Sequence, residues 1–183
     1  MNDEALCRNR QRNPLTPADI CIYNNCAVRE PTIMDSATTS SIDTIAKTCI
    51  AVRLRLLNRV VTNFYDDALR PLGLKVSQLN ILIVTARLGL ARPAQVCEIL
   101  QLDASTLSRN VKPLQAHGWL EVVPEEDARS QPFRLTAQGK RLIAKAIPAW
   151  EKAQHQASEL LGNEGIVLLD KAAKKVGMAQ AQR

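Results

Sequence analysis

Aromatic side chains and histidine are scarce in this chain. Phe, Trp and Tyr together make up 3% of the residues, and only two histidines occur. A core with so few aromatic rings is built from Leu, Ile, Val and Ala, a mixture that favours helices over a β-sandwich. The sequence also has no P-loop, nucleophile elbow, dinucleotide fingerprint or HExxH pattern. We therefore expect a protein that is not an enzyme and that needs no cofactor.

Long apolar runs and paired cysteines are also missing. No run approaches the roughly 20 apolar residues that span a bilayer, and the N-terminus has no apolar signal-peptide core. We therefore expect a cytoplasmic protein with no membrane partner. The five cysteines form an odd and irregularly spaced set, which argues against a disulfide framework. Cys7, Cys21 and Cys26 have neither a C-x2-C pair nor a nearby histidine, so no metal site is predicted.

Positive charge is in moderate excess. The chain has 183 residues, a formal net charge of +6 and 46% hydrophobic residues. The hydrophobic content is ordinary for a globular core, and the length suits one domain with an extension. A basic chain favours an anionic partner, although many proteins of similar charge bind no nucleic acid.

The first 40 residues are the least patterned part of the chain. They mix polar residues with three prolines, and Ser36 to Ser41 has the composition of a linker. We expect residues 1–40 to be a disordered or loosely ordered extension and residues 41–183 to form the folded domain. Met34, just before the patterned part, is a hypothetical natural start. An intact mass that began at Met1 would contradict that hypothesis.

Two long segments show helical periodicity. Residues 42–70 predict one helix about 40 Å long, which is too long for the interior of a small domain. Residues 137–177 carry a second apolar stripe, which Pro148 should kink and which Gly162 and Gly165 should interrupt with a turn. Together the segments contain more apolar surface than one small domain covers. Pairing two copies would bury that surface, so both segments are predicted to be dimerisation helices.

Three shorter helices lie between these segments. Ser77 is predicted to cap the first, which carries Ile83 among its apolar residues and ends at Gly89. The second runs from Pro93 to Leu100, with Ile99 among the residues expected to face inward. After a brief turn, the third runs from Asp103 to His117. Two short helices joined by a tight turn are typical of a helix-turn-helix.

A β-hairpin is predicted directly after the third helix. Gly118 ends that helix, and Trp119 to Val123 has the pattern of a strand. A polar loop leads to a returning strand at Phe133 to Leu135, and Thr136 caps the next helix. A hairpin in this place has the layout of a wing, so the winged core spans about residues 77–136.

The third helix has two contrasting faces. Asp103 is its N-cap, and Leu107, Val111 and Leu114 share an inward face. The opposite face is small, hydroxylic or basic and carries no acidic side chain; it consists of Ser105, Thr106, Ser108, Arg109 and Lys112. Such a face suits the major groove of DNA, because small side chains let the backbone approach the bases. An ordinary solvated face is the alternative, and the helix alone does not separate the two.

Three short motifs occur in a fixed order around the predicted wing: Gly118–Trp119–Leu120, Asp127–Ala128–Arg129 and Leu135–Thr136–Ala137–Gln138–Gly139. In this order they resemble the MarR family of winged-helix transcription regulators. The resemblance is strongest from Leu102 to Leu142 and weaker from Tyr65 to Leu82, and it covers about three-quarters of the chain, from about Ile42 onward. The resemblance implies a mainly α fold: a winged helix-turn-helix with a two-stranded β-wing, flanked by N- and C-terminal dimerisation helices.

The resemblance also implies a function. It implies a homodimeric regulator, expected to be a repressor, that binds a pseudo-palindromic operator in double-stranded DNA with half-sites about one helical turn apart. The helix from Asp103 would enter the major groove. Arg129 at the wing tip would enter the minor groove, and Asp127 would orient Arg129 or brace the wing.

Some features depart from the family pattern. The wing carries Ala128–Arg129–Ser130 where many members have more arginine. Pro113 removes a backbone donor from the recognition helix, so Lys112 is expected to hold phosphate at the margin of the groove. Residues 1–40 have no counterpart.

Members of the family respond to small, often phenolic ligands or to oxidation of a cysteine. We expect a small aromatic or acidic ligand where the dimerisation helices meet the winged domain. Cys49 lies near the position of the reactive thiol in the peroxide-sensing branch. Counting from Tyr65, however, that thiol falls at Ala51, and two residues rotate a helical position by about 200°. Cys49 is therefore interpreted as a buried structural residue. Two alternatives stay open: redox sensing through Cys49, and a winged-helix protein-interaction module that reads no bases.

Overall fold

A computed structural model of the chain describes residues 36–124 and 131–181. Within these ranges the elements are α1 (Ser36–Thr48), α2 (Ile50–Leu69), α3 (Val76–Leu88), α4 (Pro93–Leu100), α5 (Ala104–Ala116), β1 (Leu120–Val122), β2 (Phe133–Leu135) and α6 (Ala137–Ala181), with a 3₁₀ turn at Arg70–Leu72. The fold is mainly α, a winged helix-turn-helix with a two-stranded antiparallel sheet, as expected. The chain divides into two compact units, Met1–Arg55 and Leu56–Arg183.

The first unit shows two differences from expectation. The serine- and threonine-rich run interpreted as a linker forms the first turns of α1, and the predicted single helix over residues 42–70 is interrupted at Cys49. Thr48 Oγ1 donates to the Thr44 carbonyl at 2.7 Å, and Arg53 Nη2 donates to the Lys47 carbonyl at 2.6 Å. Hydroxyls that bond back to the preceding turn bend helices. The arginine satisfies a carbonyl at the end of α1.

The second unit is built around an aliphatic core. Its buried members come from all of α2 to α6 and from the wing; among them are Leu69, Ile81, Leu82, Val96, Leu114, Phe133 and Ala146. The prediction that Ile99 faces inward was wrong, since Ile99 is 54% exposed. Ile83 is likewise exposed, while Ile81 and Val84 are the α3 residues that enter the core beside Leu82.

The start of α3 differs from prediction as well. The helix begins at Val76, and its N-cap is Lys75 rather than Ser77. The Gln78 side chain accepts from the Lys75 backbone N–H at 3.0 Å, and Asp66 Oδ1 accepts from the Val76 N–H at 2.8 Å. Because Asp66 belongs to α2, a tertiary contact satisfies one of the free backbone donors in the first turn of α3.

The wing is held at its base by a third segment. β1 and β2 pair antiparallel with Leu120 opposite Leu135 and Val122 opposite Phe133. Phe133 also exchanges two backbone hydrogen bonds with Ala91, at 2.9 and 3.0 Å. Ala91 lies between α3 and α4, so the wing is fastened to the helix-turn-helix. The wing tip, with Asp127 and Arg129, lies outside the described residues, as do Met34 and the three N-terminal cysteines.

α6 continues through Pro148, but it consists of two helical segments joined by a kink at Gly162, whose φ of 63° and ψ of 168° are non-helical. The predicted turn therefore lies at Gly162, while Gly165 is helical. Many large apolar residues of α6 are exposed in the single chain; they are Ile147, Trp150, Leu160, Ile166, Val167, Leu168, Leu169 and Val176. Over the described ranges, no helix has the length and hydropathy to cross a membrane.

Candidate nucleic-acid interface

The apolar face of α5 lies in the core, as predicted. Leu107 is 3% exposed, Val111 8% and Leu114 0%. All three belong to the buried cluster that also contains residues of α3 and α4. This packing fixes which side of α5 faces outward. Ser105, Ser108, Arg109 and Lys112 are all exposed on that side, and Thr106 is half-buried.

Asp103 caps α5 and does more than the sequence predicted. Its Oδ1 accepts from the Thr106 backbone N–H at 2.7 Å and from Ser105 Oγ at 2.6 Å, and its Oδ2 accepts from Thr106 Oγ1 at 2.7 Å. The hydrogen bonds from the Ser105 and Thr106 hydroxyls, and to a smaller extent the one from the Thr106 backbone N–H, hold the pKa of Asp103 well below its usual range. The carboxylate is therefore ionised at neutral pH.

Arg109 lies back along the first turn of α5. Its Nε donates to the Ser105 carbonyl at 3.2 Å. Its Nη2 donates to Ser105 Oγ at 3.3 Å and to Thr106 Oγ1 at 3.2 Å. Three of the predicted DNA-contacting residues, Ser105, Thr106 and Arg109, thus form one cluster with the cap. We call these three residues and Asp103 the cap cluster.

Asn110 is a structural residue of this surface that the sequence interpretation missed. Its Nδ2 donates to the Thr106 carbonyl at 2.9 Å, and its Oδ1 accepts from Ser77 Oγ at 3.1 Å. Ser77 therefore ties α3 to α5 instead of capping α3. An asparagine at the border between the apolar and polar faces was the available signal.

α5 continues through Pro113 and ends at a glycine. Gly118 has φ 69°, a left-handed conformation that glycine adopts without strain. Its N–H donates to the Gln115 carbonyl at 2.8 Å, and the Trp119 N–H donates to the Leu114 carbonyl at 2.9 Å. This pair of bonds is a Schellman motif, as the predicted C′ glycine requires. The chain then turns directly into β1.

Thr136 and Gly139 join the end of α5 to the start of α6. Thr136 Oγ1 donates to the Gly118 carbonyl at 2.7 Å and accepts from the Gly139 N–H at 3.0 Å, which confirms the predicted cap. A Cβ on Gly139 would lie 2.2 Å from the Trp119 carbonyl oxygen. The spacing of threonine and glycine in the L-T-x-x-G motif therefore reflects a capping bond and a close backbone approach.

The wing carries a second arginine that was not singled out from the sequence. Arg134 Nε donates to Glu121 Oε1 at 2.6 Å across the two strands. The pair is exposed on both sides, so it contributes little to stability. Arg134 belongs to the described base of the wing, whereas Arg129 lies outside the described residues.

The two cysteines in the described part of the chain are free thiols. Cys49 is half-buried between α1 and α2, not fully buried as expected. Cys97 is half-buried and packs against the core of the second unit as a small apolar residue.

Comparison with known proteins identifies a family match in the winged core. The matching family model is that of the MarR family, and it covers residues 72–130. That stretch includes α3, α4, α5 and β1, the complete helix-turn-helix with the first strand of the wing. This match and the MarR relatives support a MarR-family winged-helix transcription regulator, as the resemblance implied, and the named MarR relatives are regulators rather than enzymes.

Two curated relatives illustrate the range of the match. The MarR multiple antibiotic resistance protein of Salmonella typhimurium is 23% identical over 124 residues, which is 66% of this chain and 85% of that protein. YwoH, an uncharacterised transcriptional regulator of Bacillus subtilis, is 26% identical over 83 residues. That second alignment spans 45% of this chain and 61% of YwoH.

Solved MarR-family structures share the fold. A mutant MarR from E. coli in complex with operator DNA has a TM-score of 0.64 at 19% identity, covering 73% of this chain and 96% of that one. The M. tuberculosis regulator MosR, solved in complex with DNA, has a TM-score of 0.62 at 29% identity, covering 74% and 99%. Bordetella bronchiseptica BpsR, whose DNA binding is regulated by 6-hydroxynicotinic acid, has a TM-score of 0.63 at 18% identity, covering 70% and 93%.

Proposed function

We propose that this MarR-family chain is a homodimeric repressor that binds a pseudo-palindromic operator and is released by a small aromatic or acidic ligand. The observation that carries the proposal is the outward face of α5. That face is small, hydroxylic and basic, and its orientation is set by the buried Leu107, Val111 and Leu114. Two proteins that share the fold, MarR from E. coli and MosR, were solved in complex with DNA, which supports DNA binding by this chain.

In this proposal the first turns of α5 enter the major groove. Ser105, Thr106, Ser108 and Arg109 face the bases, and Lys112 contacts phosphate at the groove margin. Beyond the described residues, Arg129 at the wing tip enters the minor groove and Asp127 supports the wing. Phosphate contacts set the register of the protein on the DNA, and base contacts determine which operator sequence it recognises.

A second copy of the chain is the proposed partner of the terminal helices. Within the second unit, Ile166, Val167, Leu168 and Leu169 are consecutive residues of α6, and each is between 37% and 65% exposed. Consecutive residues point in different directions around a helix, so apolar surface surrounds this turn. A helix that is apolar all round is typically buried. Two-fold pairing would place two α5 helices about one DNA turn apart.

One structural relative supports release of the operator by a small ligand. BpsR is regulated by 6-hydroxynicotinic acid, a small aromatic acid. A ligand of that class fits a basic chain with a net charge of +6. We place the ligand site where the terminal helices of the dimer meet the winged domain.

Footprinting on the DNA that flanks the gene tests the proposal. The full chain should protect two half-sites, and affinity should fall steeply between about 50 and 200 mM salt as counterions are released. A scrambled duplex of equal length is the control. Absence of protection at low salt would favour the protein-interaction module, and release of DNA by peroxide from wild type but not from Cys49→Ser would favour redox sensing.

A further inference from the structure

The cap cluster fixes the direction of its hydrogen bonds. An ionised carboxylate only accepts, so the single protons of the Ser105 and Thr106 hydroxyls point toward Asp103, at 2.6 and 2.7 Å. The hydroxyl oxygens are then left as acceptors, and Arg109 Nη2 donates to both, at 3.3 and 3.2 Å. The Asp103 charge thereby determines the polarity of two side chains on the proposed reading face.

This polarity limits what the face can bind. The outward side of the cluster offers donors from the guanidinium and acceptor lone pairs from the hydroxyls. A phosphate oxygen beside these hydroxyls would meet oxygen atoms whose protons are turned away, next to an exposed carboxylate. A phosphate is therefore a poor partner for Ser105 and Thr106, and a group that offers both acceptors and a donor is a good one.

We propose that the cap cluster reads a G·C base pair in each operator half-site, with Asp103 as the positioning residue. The inference rests on the proposed operator binding. Guanine presents two neighbouring acceptors, N7 and O6, in the major groove, and its cytosine presents the N4 amino donor beside them. Arg109 donates to the guanine acceptors, and the hydroxyl oxygens of Ser105 and Thr106 accept from the cytosine amino group. An A·T pair fits less well, because its adenine amino donor separates the two acceptors N7 and O4.

Base analogues test the DNA side of the inference. We expect one guanine in each half-site whose replacement by 7-deazaguanine, which lacks N7, weakens wild-type binding about fivefold or more, in line with bidentate guanine contacts. Inosine at the same position keeps N7 and O6 and should bind like guanine. Arg109→Ala should not distinguish 7-deazaguanine from guanine. If no guanine in the half-site responds to the loss of N7, the G·C assignment is wrong.

Asp103→Asn tests the protein side. Asparagine caps helices about as well as aspartate, so thermal stability should be retained. Its amide, however, places a donor where Thr106 Oγ1 now finds an acceptor, which reverses the Thr106 hydroxyl. We expect the ratio of operator to scrambled-duplex affinity to fall about tenfold, the scale of a lost base contact. Glu98→Gln, which removes one exposed charge from α4, should leave the ratio unchanged. If Asp103→Asn leaves the ratio of operator to scrambled-duplex affinity unchanged, Asp103 acts only as the N-cap of α5 and does not position the reading side chains.

A measurement without DNA separates the two proposals. In the free wild-type chain the Arg109 Nε–H should give an NMR signal slowed in solvent exchange, and Asp103→Asn should weaken that protection. If wild type binds no DNA, operator binding and base reading fail together, whatever the NMR shows. If wild type binds its operator but 7-deazaguanine and Asp103→Asn have no effect, the base reading alone is overturned.

Discussion

At the scale of single residues, Arg109 is the side chain with the most direct consequence for DNA binding. In the free chain it contacts Ser105 and Thr106, so it stays over the first turn of α5 instead of extending into solvent. A preordered arginine loses less conformational entropy when it binds a base edge.

Arg109→Ala should therefore weaken operator binding by about 1–3 kcal/mol and relax preference at one base pair of each half-site. Arg129→Ala should weaken binding about equally for all operator variants, because a minor-groove arginine reads mainly shape and charge. Dissociation constants over a panel of single base-pair substitutions measure both effects. Lys171→Ala on α6 is the control for a lost positive charge. Wild-type binding by both arginine variants would contradict the docking arrangement.

Gly139 is the second residue with a clear prediction, here for stability. Its missing Cβ would meet the Trp119 carbonyl at 2.2 Å and Leu135 Cδ2 at 2.8 Å. Gly139→Ala should lower the free energy of unfolding by about 1–3 kcal/mol, because the backbone at Trp119, just before β1, would have to move. Gly177→Ala, further along α6, is the matched control. A Cβ added at Gly177 would have no other atom within 4 Å. This substitution should therefore be neutral or raise the free energy of unfolding by up to about 1 kcal/mol. If urea denaturation shows the same change in the free energy of unfolding for Gly139→Ala and Gly177→Ala, the steric explanation is wrong.

At the scale of elements, one residue, Thr136, connects the start of α6 to the end of α5 and to the segment that leads into β1. Thr136 Oγ1 caps α6 and donates to the Gly118 carbonyl at the end of α5, and the Thr136 N–H donates to the Trp119 carbonyl at 3.2 Å. The start of α6, the end of α5 and the segment that leads into β1 are therefore held at one point.

Thr136→Val keeps the shape of the side chain and removes these side-chain bonds. The free energy of unfolding should fall by about 0.5–2 kcal/mol, the usual cost of a lost N-cap. Thermal or urea denaturation measures the change. Thr44→Val removes a hydroxyl that bonds only to the carbonyl four residues earlier in α1, and it should change stability by less than about 0.5 kcal/mol. A Thr136 variant as stable as the Thr44 variant would show that the cap contributes nothing.

The element scale also shows where local patterns were sufficient. α4 begins and ends at the predicted residues, α5 has its predicted cap and terminating glycine, and β2 has its predicted bounds. These elements depend on signals within a few residues, such as a proline at the first helical position or a cap three residues from its partner. The long N-terminal helix was predicted less well, because its interruption at Cys49 involves the Arg53 side chain reaching back to Lys47.

At the scale of the whole molecule, the proposed dimer makes a direct prediction. Leu168 is 65% exposed in the single chain and lies in the apolar turn of α6. Leu168→Glu should shift the chain toward monomer and weaken operator binding by more than about tenfold, because a charge would be buried in the pairing surface. Light scattering after size-exclusion chromatography reports the mass, and gel shifts report the affinity.

Asp170→Asn is the matched control for that substitution. Asp170 lies two residues further along α6, about 200° around the helix, and forms an exposed ion pair with Lys174. We expect this variant to keep the mass and the affinity of wild type. A wild-type chain that is monomeric at the concentrations used for footprinting would contradict the homodimer.

The sequence by itself determined the order of the short elements, the three caps at Asp103, Gly118 and Thr136, and the resemblance to the MarR family. Local hydrogen bonds and helical periodicity depend on neighbours in the chain, so they can be recognised without a structure. Tertiary structure decided which apolar side chains are covered, since periodicity groups residues on a face but does not say what packs against it. Ile81 is therefore fully buried, while Ile83 and Ile99 are exposed.

Tertiary structure also decided how the reading face is held. The Ser77–Asn110 bond spans 33 residues, and the Ala91–Phe133 bridge joins the wing to the turn before α4. Contacts between such distant residues form only once the core has packed, so no local pattern predicts them. The orientation of Ser105, Thr106 and Arg109 around Asp103 is a local cluster, but its outward direction exists because Leu107, Val111 and Leu114 are buried beneath it.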